Sequence, residues 1–230
     1  MALDAAHRGY IYQDILSAYF VAHEIAQGNL DSKFVFDKKK TPQDIPDKFD
    51  DITVYRKNET LFFQVKYSDI ENEHNLEKED FSTVAKHDLA LWNLFATWKK
   101  LKSEKSRFYV LLAWKSPLDS DKILDVIKKD DIATPVFQNA ICYRFDIDKL
   151  WPSDTGVLTS WKSLKAESAK IDRNEFKKFL DLLSIQLNLP KLSYTFNDGL
   201  EKELCNEIER IGIGIYPNER LEIEDVANSF

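Results

Sequence analysis

Glycine is scarce in this chain, six among 230 residues, beside seven prolines, two cysteines, four histidines and one methionine. So few glycines leave little scope for flexible linkers, and fifteen phenylalanines argue for well-packed helices and strands. Cys142 and Cys205 are too few and too far apart for a disulfide framework or a zinc site. No apolar run approaches the roughly 20 residues that span a bilayer. The opening Met1-Ala2-Leu3-Asp4-Ala5-Ala6-His7-Arg8 lacks the basic-then-apolar plan of a signal peptide. A G-x-x-x-x-G-K-[ST] loop, an internal repeat and a low-complexity tract are all missing. The default expectation is a reduced, cytoplasmic protein with no membrane association. Positive charge also falls short: 32 basic against 39 acidic residues give a net charge of −7. Phosphate neutralisation supplies much of the affinity for nucleic acid. A chain this acidic therefore binds nucleic acid only through a local basic surface or with partners.

What is present is an ordinary globular composition, 43% apolar and 31% charged, long enough for one large or two small domains. From Gly9 to Ala26 the apolar residues Tyr10, Ile11, Ile15, Ala18, Tyr19, Ala22 and Ile25 recur at helical spacing. Residues 31–36 read as a strand, and 41–49 as a connecting loop. Residues 52–55 and 61–67 read as a hairpin across Arg56-Lys57-Asn58-Glu59, with Asn58 a turn residue. An acidic stretch, 69–80, is expected to be a loop with a short helical piece. Then come a long amphipathic helix over 81–101 and a buried strand over 107–114. Helices are expected over 123–129, 174–186 and 200–211, with a short strand or extended piece over 142–147. This order divides the chain into a core, 1–117, and a mainly helical extension, 118–230, packed on it as a partner or oligomer interface.

One strand carries the chemistry. Gln64 and Lys66, two apart, point to the same face, while Phe63, Val65 and Tyr67 make the opposite, apolar face. Asp50 and Asp51 open the preceding strand, thirteen residues before Gln64 in the case of Asp51. Carboxylate and amide oxygens suit a hard divalent cation. Such a cation polarises a phosphodiester and activates water, and a lysine stabilises the charge that develops. Elsewhere the chain offers weaker signals. Lys38-Lys39-Lys40 could track a phosphate backbone, though charge runs usually face solvent. Lys86 and His87 are long shots, and Glu24 reads as a surface residue. His7, His23 and His74 show no ligand spacing, and the tryptophans, Trp92 and Trp98 among them, read as core or partner-facing.

The element order, with Asp51 at the start of one strand and Gln64-Val65-Lys66 on the next, resembles the PD-(D/E)XK nuclease core. Glutamine at the second position is a variant that Mrr-type restriction enzymes share. Arg8-Gly9-Tyr10-Ile11-Tyr12-Gln13 is similar to the G-x-x-Y-Q opening of anti-phage effector nucleases of the CBASS, Avs and Lamassu type, including LmuA-like subunits. Asn174-Glu175-Phe176-Lys177-Lys178-Phe179-Leu180 is similar to their helical tail. The resemblance covers about residues 8 to 190, unevenly. It implies an α/β fold, a mixed central sheet flanked by helices, with that helical extension.

It further implies a Mg²⁺- or Mn²⁺-dependent endonuclease acting on double-stranded DNA. Asp51 and Gln64 would hold the metal, with Asp50 in reserve. Lys66 would be the catalytic lysine, and Gln13 would stand where many relatives keep a glutamate near the metal. Pro46-Asp47 spells the family name from a loop and is set aside. Glutamine at both 13 and 64 leaves one or two carboxylates where three are usual, so weak metal affinity without DNA is expected. A nuclease lacking a sensor needs control in trans, here by the SMC-like ATPase and accessory subunit of a defence complex, or by self-assembly. A degenerate fold used for protein interaction, or a module of a longer CBASS or Avs protein, are the alternatives.

Overall fold

The computed structural model describes residues 2–37, 48–69, 73–82, 89–101, 105–153, 156–193 and 197–215, with the backbone alone for 2–6 and 213–215. Helix α1 (Ala2–Ala26) is followed by strands β1 (Lys33–Phe36), β2 (Ile52–Tyr55) and β3 (Thr60–Tyr67). Next come α2 (Lys78–Ser82), α3 (Leu91–Leu101) and β4 (Ser106–Ala113). The second half adds a 3-10 turn (Lys122–Asp125), β5 (Ile127–Lys129), β6 (Ile141–Phe145), α4 (Ile147–Leu150) and α5 (Lys162–Ser168). It ends with α6 (Arg173–Leu182), β7 (Leu183–Leu187) and α7 (Gly199–Ile215).

All seven strands form one mixed sheet in the order β1-β2-β3-β4-β7-β6-β5. β3, β4 and β7 run parallel at its centre, with an antiparallel pair on either side. Parallel strands need both faces covered, and two apolar clusters cover them. The larger draws Phe62, Phe108, Val110, Leu112 and Ile185 from the sheet and packs them beneath α3 and α6 through Leu94, Phe95, Phe176 and Phe179. The smaller takes Leu61, Phe63, Val65, Leu111 and Ala113 and packs them under Tyr12, Leu16, Tyr19 and Phe20 of α1 and Leu200 of α7. Each fully buried Phe or Leu contributes about 1.5–3 kcal/mol. Among the described residues no helix is long and apolar enough to cross a membrane.

The N-terminal half follows the sequence closely. The hairpin closes with Arg56 N donating to Glu59 O at 2.9 Å, and Tyr55 faces Thr60. Three expectations need correction. The helix drawn over 81–101 is not continuous, because Leu89 and Ala90 are non-helical and α3 starts afresh where Asn93 N and Leu94 N donate to Ala90 O. Residues 123–129 are not a helix. Asp121 caps a 3-10 turn by accepting from Ile123 N at 2.7 Å, and Ile127–Lys129 then pairs with β6. The helix read over 174–186 ends at Leu182 and passes directly into β7, which lies between β4 and β6. In the last two cases a short segment fits both periods, and the neighbouring strand decides. The second half holds more helix than strand, yet it also supplies three of the seven strands, and β7 pairs directly with β4. Lys38–Lys40, Pro46-Asp47, Lys86 and His87 lie outside the described residues.

Candidate metal centre

Hairpin register assembles the site. With Ile52 facing Phe63 and Tyr55 facing Thr60, the next step outward sets Asp51 across from Gln64. That explains the thirteen-residue spacing. Asp51 Oδ2 accepts hydrogen bonds from Gln64 Nε2 and, at 2.5 Å, from Val65 N. The backbone of Asp51 is held as well, its carbonyl accepting from Asp37 N at 3.0 Å. Asp37 takes a positive φ of 44°, a conformation that Asp tolerates better than most residues. Gln64 is buried within the larger cluster's face of the sheet, alongside Phe62. Lys66, two residues on and half-buried, shares that face. A buried amide between apolar neighbours costs energy unless it is bonded, and Asp51 supplies the bond.

Electrostatics at Asp51 are unbalanced. Burial pushes its carboxyl up to about 6. The Val65 N–H bond and the Lys66 charge pull it down, while Asp50 and Asp37 add to the rise. A carboxylate held by a neutral amide and one peptide N–H is poorly compensated in such a setting. A cation would correct this. Among the described residues, Asp51 Oδ1 and Gln64 Oε1 accept no hydrogen bond. No group of three or more His, Cys, Asp and Glu that could hold a metal occurs among the described residues. The carboxylate of Asp51 and the amide oxygen of Gln64 are donors of the kind a hard divalent cation takes.

Of the sequence-predicted residues, the structure brings Asp50, Asp51, Gln64 and Lys66 to one end of the β2–β3 hairpin. Gln13 is half-buried on α1, which covers the other face of the sheet. Its neighbour Tyr12 stacks on Tyr67 of β3 at 4.5 Å. Among the described residues no hydrogen bond joins Gln13 to Asp51, Gln64 or Lys66.

Two side-chain pairs formed by tertiary packing escaped the sequence reading. Glu24, expected at the surface, is 1% exposed and bound by Arg56 through both carboxylate oxygens. A carboxylate in the last turn of α1 and a hairpin-turn arginine, 32 residues apart, carry no local signal of each other. His74 Nε2 meets Asp80 Oδ2 at 2.9 Å, and the His74 ring stands edge-on to Trp114. Asp80 is wholly buried and also accepts from Glu77 N at 2.8 Å, capping α2. Compared with protein-family models and with curated proteins, the sequence finds no match.

Proposed function

We propose that the chain is a metal-dependent DNA endonuclease of the PD-(D/E)XK kind, the effector of a cytoplasmic anti-phage or anti-plasmid defence system. The observation that carries this reading is the Asp51–Gln64 contact, with Lys66 on the same face at the carboxyl end of β3. Asp51 Oδ1 and Gln64 Oε1, with Asp50, would hold Mg²⁺ or Mn²⁺. When bound, the ion neutralises the scissile phosphate and lowers the pKa of a water. Val65 N–H and the Gln64 amide fix the Asp51 carboxylate, so its second oxygen points to one place. The Lys66 ammonium would stabilise the negative charge that grows on the phosphate, where a preorganised cation accelerates the reaction most. Gln13, on α1, would act through the metal's waters and not as a direct ligand.

The net charge of −7 supports control in trans. An SMC-like ATPase with an accessory subunit, or self-association, would supply the DNA contact that this composition lacks. The test is plasmid and linear-duplex cleavage in Mg²⁺ and Mn²⁺, with and without the products of neighbouring genes. Lys66→Ala is expected to lower cleavage on the order of 10²–10³-fold while leaving thermal unfolding unchanged. One observation favours a second reading: Gln64 turns its amide N–H₂ to Asp51, as a retired site kept for protein interaction would. Cleavage or protection that survives Lys66→Ala decides for that reading.

A further inference from the structure

Next to this site, three basic side chains from separate elements converge on one acidic pair. Lys191 Nζ lies 2.9 Å from Glu73 Oε1 and 3.4 Å from the carbonyl of Asp69. Lys115 Nζ takes the other oxygen, Glu73 Oε2. Arg8 Nη1 reaches Asp69 Oδ2 at 2.9 Å. Two ammonium groups on the two oxygens of one carboxylate stand close enough to repel each other, and an anion between them is what makes the arrangement favourable. They hold the Glu73 carboxyl below its usual range, Lys115 more than Lys191.

The seat is built, because its parts are fixed by backbone. Lys115 N and O bond His74 O and Leu76 N, extending the parallel ladder past β4. Lys191 follows Asn188, whose N donates to Trp114 O at 3.0 Å. The Lys191 carbonyl accepts from Leu200 N at 2.9 Å, and at Gly199 (φ 66°) a Cβ would come within 2.4 Å of that carbonyl. All three cations sit at the carboxyl ends of the parallel strands. Lys66 faces Leu112 in the register, so Lys115 lies three residues, about 10 Å, further along the ladder. Carboxyl ends of parallel strands are where α/β sheets take ligands.

We propose that Lys115, Lys191 and Arg8 form a seat for a phosphodiester of duplex DNA, and that Glu73 and Asp69 occupy it in the free protein. The duplex, as the substrate bound there, rests on the nuclease reading above. The acidic pair then explains how a chain of net charge −7 carries a basic site: the positive surface exists and is covered by the protein's own carboxylates. DNA must displace them, which lowers affinity until a partner helps.

The test uses the full chain with Lys66→Ala in EDTA, so that binding is read without cutting. Fluorescence anisotropy follows a labelled duplex of ~20 base pairs across about 50 to 200 mM salt. Glu73→Gln is expected to tighten binding about three- to tenfold, since one competing charge is removed. Lys115→Ala with Lys191→Ala is expected to weaken it and to flatten the slope of log affinity against log salt by about two. Lys115→Ala alone, at a side chain more than half exposed, should flatten it by about one. Thermal unfolding of each variant checks that it is folded.

Unchanged affinity in Glu73→Gln together with an unchanged slope in folded Lys115→Ala overturns the proposal. So does displacement of the duplex by millimolar inorganic phosphate, which would mark a site for small anions. Cleavage by the Lys66 parent is scored apart. If it does not cut while the binding shifts appear, the nuclease reading fails and the seat stands. If it cuts and the shifts are absent, the seat alone fails.

Discussion

Near each end of the β2–β3 hairpin stands a carboxylate, Glu24 of α1 buried and Asp51 partly buried, and the two are treated in opposite ways. At its turn, Arg56 donates to both oxygens of Glu24, with Nε at 2.9 Å, and Ser32 Oγ adds a bond at 3.0 Å. At its open end, Asp51 receives an amide and one peptide N–H. Burial raises both carboxyls, but at Glu24 the guanidinium bonds and charge outweigh it and leave the group below its usual range. At Asp51 burial wins, and the group sits at about 6. A charged bidentate fork compensates a desolvated carboxylate, and a neutral amide does not. One end of the hairpin is bolted to α1. The other is left short of positive charge.

The largest effect expected from breaking this contrast is on activity. Asp51→Asn should lower metal-dependent cleavage on the order of 10²–10³-fold, whereas Arg56→Ala should leave the cleavage rate per folded molecule unchanged. The second effect is on stability. Arg56→Ala strands Glu24 in the interior and should cost about 2–4 kcal/mol at pH 7, measured by urea unfolding. Its pH dependence follows from linkage. Glu24 has a depressed folded pKa, so its contribution is present above its unfolded value and is lost as pH falls through the folded one. Without Arg56, burial raises the Glu24 carboxyl, so the penalty of Arg56→Ala should begin to shrink on acidification already above the ordinary glutamate value of about 4.3.

Asp51 carries the opposite sign. Its folded pKa, about 6, lies above the ordinary value of 3.8, so the native state binds more protons between them. Stability of the cation-free protein should fall as pH rises through that window and stay lower above it. Asp51→Asn removes the charge while keeping an oxygen for Val65 N–H. It should stabilise the cation-free protein by about 1–2 kcal/mol at pH 8, and the gain should vanish near pH 4. A variant that loses activity and gains stability is the signature of a site held under electrostatic strain. A destabilised Asp51→Asn protein at pH 8 would show that Asp51 serves the fold as Glu24 does.

Both carboxylates differ as much in legibility as in chemistry. The meeting of Asp51 with Gln64 was readable because the two strands and their turn follow local rules, and a hairpin's register converts sequence distance into contact. The α/β character and the N-terminal half were readable for the same reason. Glu24–Arg56 was not, since side chains that meet through tertiary packing leave no periodic trace. The strands β5 and β7 were lost in helical readings because each is short, Ile-Lys-Lys and Leu-Ser-Ile-Gln-Leu, and each follows a helical segment almost without a break. Only the partner strand, supplied from elsewhere in the chain, fixes their state. Asp37, which adds negative charge at Asp51, was hidden likewise, reaching the site through β1–β2 pairing.

The smallest change that sharpens the comparison is a single atom pair, Gln64→Glu. It replaces the amide that now donates to Asp51 with a second carboxylate in a buried position. Two such groups facing each other cannot both ionise easily, so without metal one proton is retained and shared between them. A divalent cation would release it. Mn²⁺ affinity, followed by calorimetry, should therefore tighten about tenfold at pH 8, where losing the proton costs little. Near pH 6 the proton competes, and the gain should fall away, with proton release on binding detectable from buffer-dependent heats. The same measurement on wild type should show a shallower pH dependence, because only Asp51 titrates there. Equal Mn²⁺ affinity in both proteins at pH 8 would mean that position 64 does not face the cation. The Asp51–Gln64 bond would then be a structural tie like Glu24–Arg56, and the two ends of the hairpin would be alike after all.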